Sequence, residues 1–189
     1  MSNTVYDISA FTHQEWNKYI LDCNVLMYVF YTFGGYSNVI MDPYKTFFNN
    51  IATSSQCILF PAALASEFAN TFIRNEYRRY LRQNGLRQRD FDFKKSYKPT
   101  SEYKATVNEI HDILNNQLFS LPSVVICNDK FDSIDIDGFF ENENTFDFND
   151  RYYGELSKIH DCYIVTNDKD FKSVDDIKII TSCSDMFSL

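Results

Sequence analysis

The 189-residue sequence lacks the features that mark several large classes of protein. Its longest apolar runs are about ten residues, whereas a membrane-spanning helix needs about 20. The N-terminal stretch MSNTVYDISAFTHQEW is polar and does not have the basic-then-apolar layout of a signal peptide. We therefore expect a cytoplasmic protein with no membrane partner. The sequence also contains no internal repeat, low-complexity linker or hinge rich in proline and glycine.

The cysteines form no pattern that predicts a metal site or a disulfide framework. There are five, an odd number, and no two of them form a CxxC pair. Most lie in or beside predicted strands, where cysteine behaves as a small hydrophobic residue. A zinc protein and a disulfide-rich secreted domain are therefore not expected.

What the sequence does contain is enough apolar material for a folded core. Hydrophobic residues make up 44% of the chain and aromatic residues 17%, a composition that argues against disorder. The length is typical of one domain, which we place at residues 1–189.

Charge is distributed unevenly along this domain. The net charge is −8, yet residues 74–98 hold nine Lys and Arg against three Asp and Glu. We interpret residues of about 74–100 as a basic helical insertion and residues of about 128–148 as an acidic irregular segment. The basic region suits contact with phosphates, although a solvated helix face gives the same pattern. Aromatic residues that could stack on bases are interleaved in it at Tyr77, Tyr80, Phe91 and Phe93.

Short apolar strands alternate with helices along the chain. Strands are predicted at residues 18–21, 57–60, 123–127, 162–166 and 177–181. Helices are predicted at residues 22–33, 42–52, 62–82, 99–118 and 149–160, with Asp42 and Pro43 starting the second of them. This alternation predicts an α/β fold: a three-layer α/β/α sandwich with a mainly parallel central sheet.

Four acidic residues fall where the ends of such strands would meet. Asp22 directly follows the first strand, and Asp168 follows the strand 162–166 by two residues. Glu67 lies in the first turns of the helix 62–82, and Asp150 begins the helix that leads into the strand 162–166. Because sites in parallel sheets form outside the carboxyl ends of the strands, we expect these acids at one edge. Each acid alone could instead be a helix cap, a helix-dipole charge or a turn residue.

A cluster of carboxylates has chemical consequences. The charges repel each other, which raises the pKa values and destabilises the fold unless a cation compensates. Oxygen ligands without His or Cys favour Mg²⁺ or Mn²⁺, which bind phosphates and lower the pKa of a bound water. An acidic metal site beside a basic arm therefore predicts hydrolysis of a phosphodiester bond.

The same residues resemble the motifs of PIN-domain nucleases. KYILDCNVLMYVF at 18–30 is similar to the opening strand and helix of that family, and LASEFANTF at 64–72 is similar to its second motif. DFNDRYYGELSKIHDCYIVTNDKDF at 147–171 resembles the third and fourth motifs. The resemblance covers most of the chain and implies a Mg²⁺- or Mn²⁺-dependent ribonuclease, of the group that includes VapC-type toxins of toxin–antitoxin pairs.

The resemblance also implies roles for individual residues. The catalytic, metal-binding acids would be Asp22, Glu67, Asp150 and Asp168. Asn24 and Thr166 would hold these carboxylates in place. Asp147 competes with Asp150 for the third position and Asp170 with Asp168 for the fourth. We favour Asp150 for its spacing of sixteen residues from Thr166, and Asp168 because it lies nearer the strand end.

The expected function is endonucleolytic cleavage of RNA through this acidic cluster. The RNA backbone would be positioned by Arg74, Arg78, Arg79 and Arg82. Besides the RNA substrate, an antitoxin protein and a second copy in a homodimer are expected as partners. The chain is longer than a compact VapC-type toxin, chiefly through residues 74–100 and 128–148. The alternative function is a non-catalytic PIN-like module that binds RNA or a protein.

Overall fold

A computed structural model describes residues 3–140 and 147–187. Within these ranges the strands are β1 (Thr4–Asp7), β2 (Lys18–Leu21), β3 (Cys57–Pro61), β4 (Val124–Cys127), β5 (Tyr163–Val165) and β6 (Lys178–Thr181). The α-helices are α1 (Cys23–Phe30), α2 (Asn38–Ala52), α3 (Ala62–Gln83), α4 (Ser101–Asp112), α5 (Ile136–Phe139) and α6 (Phe148–His160). None of the helices in these ranges has both the length and the apolar character that crossing a membrane requires.

All six strands lie parallel in one sheet, in the order β1-β6-β5-β2-β3-β4. Strands β2 and β5 are neighbours at its centre, with Leu21 opposite Val165. Parallel neighbours need long crossover connections, and helices supply them here. The predicted α/β class and mainly parallel sheet are confirmed, and the arrangement is that of a three-layer α/β/α sandwich.

The central strands are buried because helices cover both faces of the sheet. Ile20, Leu21, Ile164 and Ile179 are fully buried. The two edge strands are more exposed, and β4 leaves Ile126 66% exposed. The carboxyl ends of β2 and β5 are therefore held rigidly in the core.

The start of α2 differs from its predicted position. The helix begins at Asn38, so Pro43 lies inside it and not at its first position. Proline lacks the N–H that would bond to the carbonyl of Val39. Val39 is 84% exposed, so this turn is at the surface, where water satisfies a free carbonyl at little cost.

Three other segments also differ from the prediction. Strand β1 was not predicted, since it has only four residues in a polar stretch and pairs with β6 alone. The predicted helix 99–118 is α4 followed by a π-helical segment, Ile113–Leu118. The acidic segment 128–148 contains a 3₁₀ turn, Phe131–Ser133, and the short α5. Its residues 141–146 lie outside the described residues.

The basic region 74–100 is built on the second half of α3. After Gln83 the chain returns through a π-helical turn, Phe93–Tyr97. A second hydrophobic cluster, called the outer cluster, fastens this return to α3 and α4; it consists of Tyr77, Leu81 and Tyr97 with the partly buried Tyr80, Leu86, Phe91, Phe93 and Tyr103. The rings considered above as base-stacking surfaces thus pack against one another, and Tyr77 is buried.

Candidate acidic active site

Six carboxylates line one cleft at the carboxyl edge of the sheet: those of Asp22, Glu67, Asp147, Asp150, Asp168 and Asp170. This cleft, called the acid cleft, has a volume of about 260 Å³, and Asn24, Thr71 and Asn149 also line it. The structure thus brings together all four acids that were predicted as metal ligands, and both of their alternatives. Their binding of a metal stays a prediction.

The parallel sheet explains why acids so distant in sequence meet. Because β2 and β5 are adjacent and parallel, Asp22 and Asp168 leave the sheet at the same edge. The backbone N–H of Asp22 still donates to the carbonyl of Val165, at 3.0 Å. Helix α3 begins at this edge with Glu67 in its second turn, and α6 begins there with Asp150 in its first turn.

Asp22 is the one buried carboxylate among the six, at 6% exposure. It precedes α1 but makes no side-chain capping hydrogen bond to it. Instead the Thr166 hydroxyl donates to Oδ2 of Asp22 at 2.7 Å. The same hydroxyl oxygen accepts the N–H of Asp168 at 2.8 Å and the Asn24 side-chain N–H at 3.4 Å. One hydroxyl, with its full hydrogen-bonding capacity used, therefore fixes Asp22 relative to Asp168.

Glu67 is held by a tyrosine that sequence analysis did not identify. The hydroxyl of Tyr153 donates to Oε2 of Glu67 at 2.6 Å, and Tyr153 is fully buried on α6. This contact ties α3 to α6 across the cleft. The two residues are 86 positions apart, and no spacing in the sequence signals the pairing.

A second tyrosine supports the strand end from behind. The Tyr44 hydroxyl lies 2.9 Å from the carbonyl oxygen of Thr166 and accepts the N–H of Ser182 at 2.9 Å. Tyr44 is fully buried on α2. The loop that carries Thr166 and Asp168 is therefore anchored to both α2 and the end of β6.

Burial and mutual repulsion raise the pKa values of three acids in the cleft. Burial raises the pKa of Asp22 to about 7; the charge of Glu67 adds to this and the hydrogen bond from Thr166 opposes it. Burial also raises the pKa of Asp150 to about 8, with further increases from the charges of Asp22, Asp147 and Asp168. The pKa of Glu67 is raised, chiefly by burial. Among the described residues, no Lys or Arg lines the cleft to offset this repulsion.

The sequence left open whether Asp147 or Asp150, and whether Asp168 or Asp170, would bind the metal. The members of each pair have different surroundings. Asp147 caps α6, because its carboxylate accepts the N–H groups of Asn149 at 2.9 Å and of Asp150 at 3.3 Å. Asp168 accepts the N–H of Asp170 at 2.9 Å and so caps a short 3₁₀ turn. Asp150 and Asp168 are half-buried, whereas Asp147 and Asp170 are exposed. The surroundings therefore favour Asp150 and Asp168 as the inner acids.

The donor atoms of the cleft suit a hard divalent cation. Carboxylate and amide oxygens are what Mg²⁺ and Mn²⁺ prefer. Over residues 3–140 and 147–187, however, no three or more His, Cys, Asp or Glu side chains are arranged to hold a metal ion.

Three of the four predicted RNA-binding arginines lie exposed on α3: Arg74, Arg78 and Arg82. Arg74 lines a polar pocket that also contains Glu67. The positions of these three arginines, four residues apart, give them one face of the helix.

Arg79 has a different environment. Its guanidinium donates to both carboxylate oxygens of the buried Glu76, at 2.5–3.0 Å. The hydroxyl of Tyr31 donates to the same carboxylate at 2.8 Å. The guanidinium carbon also lies 4.3 Å from the ring centre of Phe33. The side chain of Arg79 thus neutralises a buried carboxylate of the fold. Removing it would leave Glu76 as an unpaired buried charge.

No protein-family model matches the chain, and no curated protein matches it.

Proposed function

We propose that this protein is a metal-dependent endoribonuclease of the PIN-domain type. The observation that supports the proposal is the convergence of six carboxylates in one cleft that no described Lys or Arg side chain lines. An uncompensated cluster of this kind costs stability, and a bound divalent cation would remove the cost.

In this proposal Asp22, Glu67, Asp150 and Asp168 hold Mg²⁺ or Mn²⁺. The cation, when bound, would neutralise these carboxylates, polarise the scissile phosphate and lower the pKa of a bound water. Thr166 keeps Asp22 and Asp168 in register, and Tyr153 keeps Glu67 turned toward the cleft. These contacts provide the positioning on which phosphoryl-group chemistry depends.

The choice of RNA as substrate rests on the resemblance to PIN-domain nucleases. The same resemblance suggests products with 5′-phosphate and 3′-hydroxyl ends, an antitoxin as a protein partner, and a homodimer. A cytoplasmic location is also part of the proposal. The exposed arginines of α3 support a polyanionic substrate, because cations on one helix face bind a phosphate backbone.

Cleavage of a mixed RNA pool by the purified protein tests the proposal. Cleavage should require Mn²⁺ or Mg²⁺, stop in EDTA, and be lost in Asp22→Asn. Glu15→Gln, which changes an exposed acid outside the cleft, should cleave like the wild type. Folded wild type that binds RNA but does not cleave it, after any copurifying protein has been removed, would favour the non-catalytic binding module.

A further inference from the structure

We infer that α3 guides a single-stranded RNA away from the acid cleft, with Arg74, Arg78 and Arg82 contacting successive phosphates. The inference rests on the proposed function for the role of the cleft. It goes beyond that function by giving the strandedness of the substrate, its path, and the number of phosphates bound on one side of the cleavage site.

The acid cleft continues directly into a second pocket along α3. That pocket, called the flank pocket, has a volume of about 410 Å³ and is lined by Ala63, Ser66, Glu67, Asn70, Thr71, Arg74 and Asn149. Glu67, Thr71 and Asn149 line both cavities, so the two form one groove. A pocket of this size has room for a nucleotide. Arg74 is the one cation that lines either part of the groove in the described ranges.

Arg74 is the first of three exposed arginines at a regular interval along α3, and these three are called the row. Arg78 and Arg82 follow at steps of four residues, and each step rises about 6 Å along the helix. Side chains four residues apart have Cβ atoms about 5–6 Å apart on one face. Neighbouring phosphates of an extended strand are separated by a similar distance. A strand leaving the flank pocket along α3 would therefore meet one guanidinium per phosphate.

No carboxylate of the described residues pairs with the three arginines, and Arg78 donates one hydrogen bond, to the side-chain oxygen of Asn75 at 3.4 Å. All three are exposed, and none makes an ion pair with any residue in the described ranges. By contrast, Arg79 is paired with Glu76, and Arg87 with Asp90 at 2.5 Å. Like charges four residues apart oppose helix formation, and a bound phosphate backbone would relieve that repulsion.

The row is also held rigid. Tyr77 and Leu81 lie on α3 between these arginines in sequence, and they pack into the outer cluster against Tyr97. The hydroxyl of Tyr77 donates to the carbonyl of Phe91, which fixes the chain that follows α3. Because the helix is packed along this length, little order has to be gained when RNA binds.

The test measures binding and does not require cleavage. The probe is a fluorescent 12-nucleotide oligouridylate, titrated with the full chain carrying Asp22→Asn at several salt concentrations. Each phosphate contact on a single strand contributes about −0.7 to the slope of log affinity against log salt. The row of three should therefore contribute about −2 to that slope.

Arg78→Glu is the diagnostic change. It should weaken binding at least about tenfold at low salt and make the salt slope shallower by about 0.7 or more. Its glutamate would lie four residues from both Arg74 and Arg82, so helix α3 should form at least as well. Lys18→Glu makes the same change of charge at the amino end of β2, away from the acid cleft at the carboxyl end, and should leave the salt slope unchanged.

Two further probes of the same length, a duplex RNA and a single-stranded DNA, are titrated in the same way. The inference would be overturned if Arg78→Glu and Lys18→Glu changed RNA binding equally, or if the duplex RNA bound as tightly as the single strand. It would also be overturned if binding of the single-stranded DNA showed no salt slope. An unchanged slope on that DNA would support the contact with phosphates. If the wild type cleaves no RNA but Arg78→Glu still weakens binding selectively, the nuclease proposal fails while the path along α3 stands.

Discussion

Replacing Asp22 with asparagine should abolish RNA cleavage and, at the same time, stabilise the metal-free protein. Burial raises the pKa of Asp22 from 3.8 to about 7, and one pKa unit corresponds to about 1.4 kcal/mol. Ionised Asp22 therefore costs up to about 4 kcal/mol of folding free energy at pH 8. An asparagine carries no charge, and its Oδ1 can still accept the hydroxyl of Thr166.

The raised pKa of Asp22 determines how the stability gained in Asp22→Asn should change with pH. A raised pKa means that the folded state binds the proton more tightly than the unfolded state does. The stability contributed by the protonated form is complete below about pH 3.8 and is lost as the pH rises through about 7. The gain from Asp22→Asn should therefore be larger at pH 8 than at pH 5.

Urea unfolding in EDTA at these two pH values measures the effect. We expect Asp22→Asn to be more stable than the wild type by about 1–4 kcal/mol at pH 8, with a smaller gain at pH 5. Glu15→Gln, at an exposed acid, serves as the control and should change little. A variant less stable than the wild type at pH 8, or a gain that does not depend on pH, would refute the reasoning.

Added Mn²⁺ should stabilise the wild type more than Asp22→Asn and so reduce the difference between them. A ligand that binds only the folded state at 100 times its Kd stabilises by about 2.7 kcal/mol. Wild type should gain this stabilisation, and Asp22→Asn should gain much less.

Three further substitutions probe the supports of the cleft and the packing of the outer cluster. Thr166→Val leaves Asp22 without its hydroxyl donor and should lower the free energy of unfolding by about 1–3 kcal/mol in urea titrations; unchanged stability would contradict the contact. Tyr153→Phe frees Glu67 and should reduce the cleavage rate about tenfold, a change of about 1.4 kcal/mol in activation free energy, with the circular dichroism spectrum unchanged; a wild-type rate would mean that Glu67 needs no such support. Tyr97→Ala opens the outer cluster and should cost about 3–5 kcal/mol, with faster amide exchange confined to the end of α3 and residues 84–98; uniform exchange would argue against a separate cluster.

Much of the fold follows from short apolar runs in the sequence. The runs at 57–60 and 177–181 gave strands β3 and β6 within a residue of their observed bounds. Strand β1 could not be found this way, because TVYD forms an edge strand that is only partly buried. The start of α2 was misplaced because Asp42 and Pro43 form a good helix start locally, whereas the observed helix begins one turn earlier.

For the candidate site, the sequence could predict which acids meet, and its resemblance to PIN-domain nucleases implied Thr166 and Asn24 as their supports, but it could not predict the supporting tyrosines. Asp22 and Asp168 follow strands, so the parallel topology alone places both at one edge. The bond from Tyr153 to Glu67 and the contact of Tyr44 with Thr166 depend on side-chain packing between distant helices. The burial of Tyr77 and the pairing of Arg79 with Glu76 likewise reflect tertiary packing, and charge counting alone cannot reveal it.

The central claim is that Asp22, Glu67, Asp150 and Asp168 act together on a divalent cation. Calorimetric titration of the metal-free protein with Mn²⁺ tests it most directly, because it requires neither a substrate nor a partner. We expect stoichiometric binding by the wild type and by Glu15→Gln, and binding weakened at least tenfold in Asp22→Asn and Asp150→Asn. Binding of equal strength in all four proteins, or no binding by folded wild type, would contradict the claim.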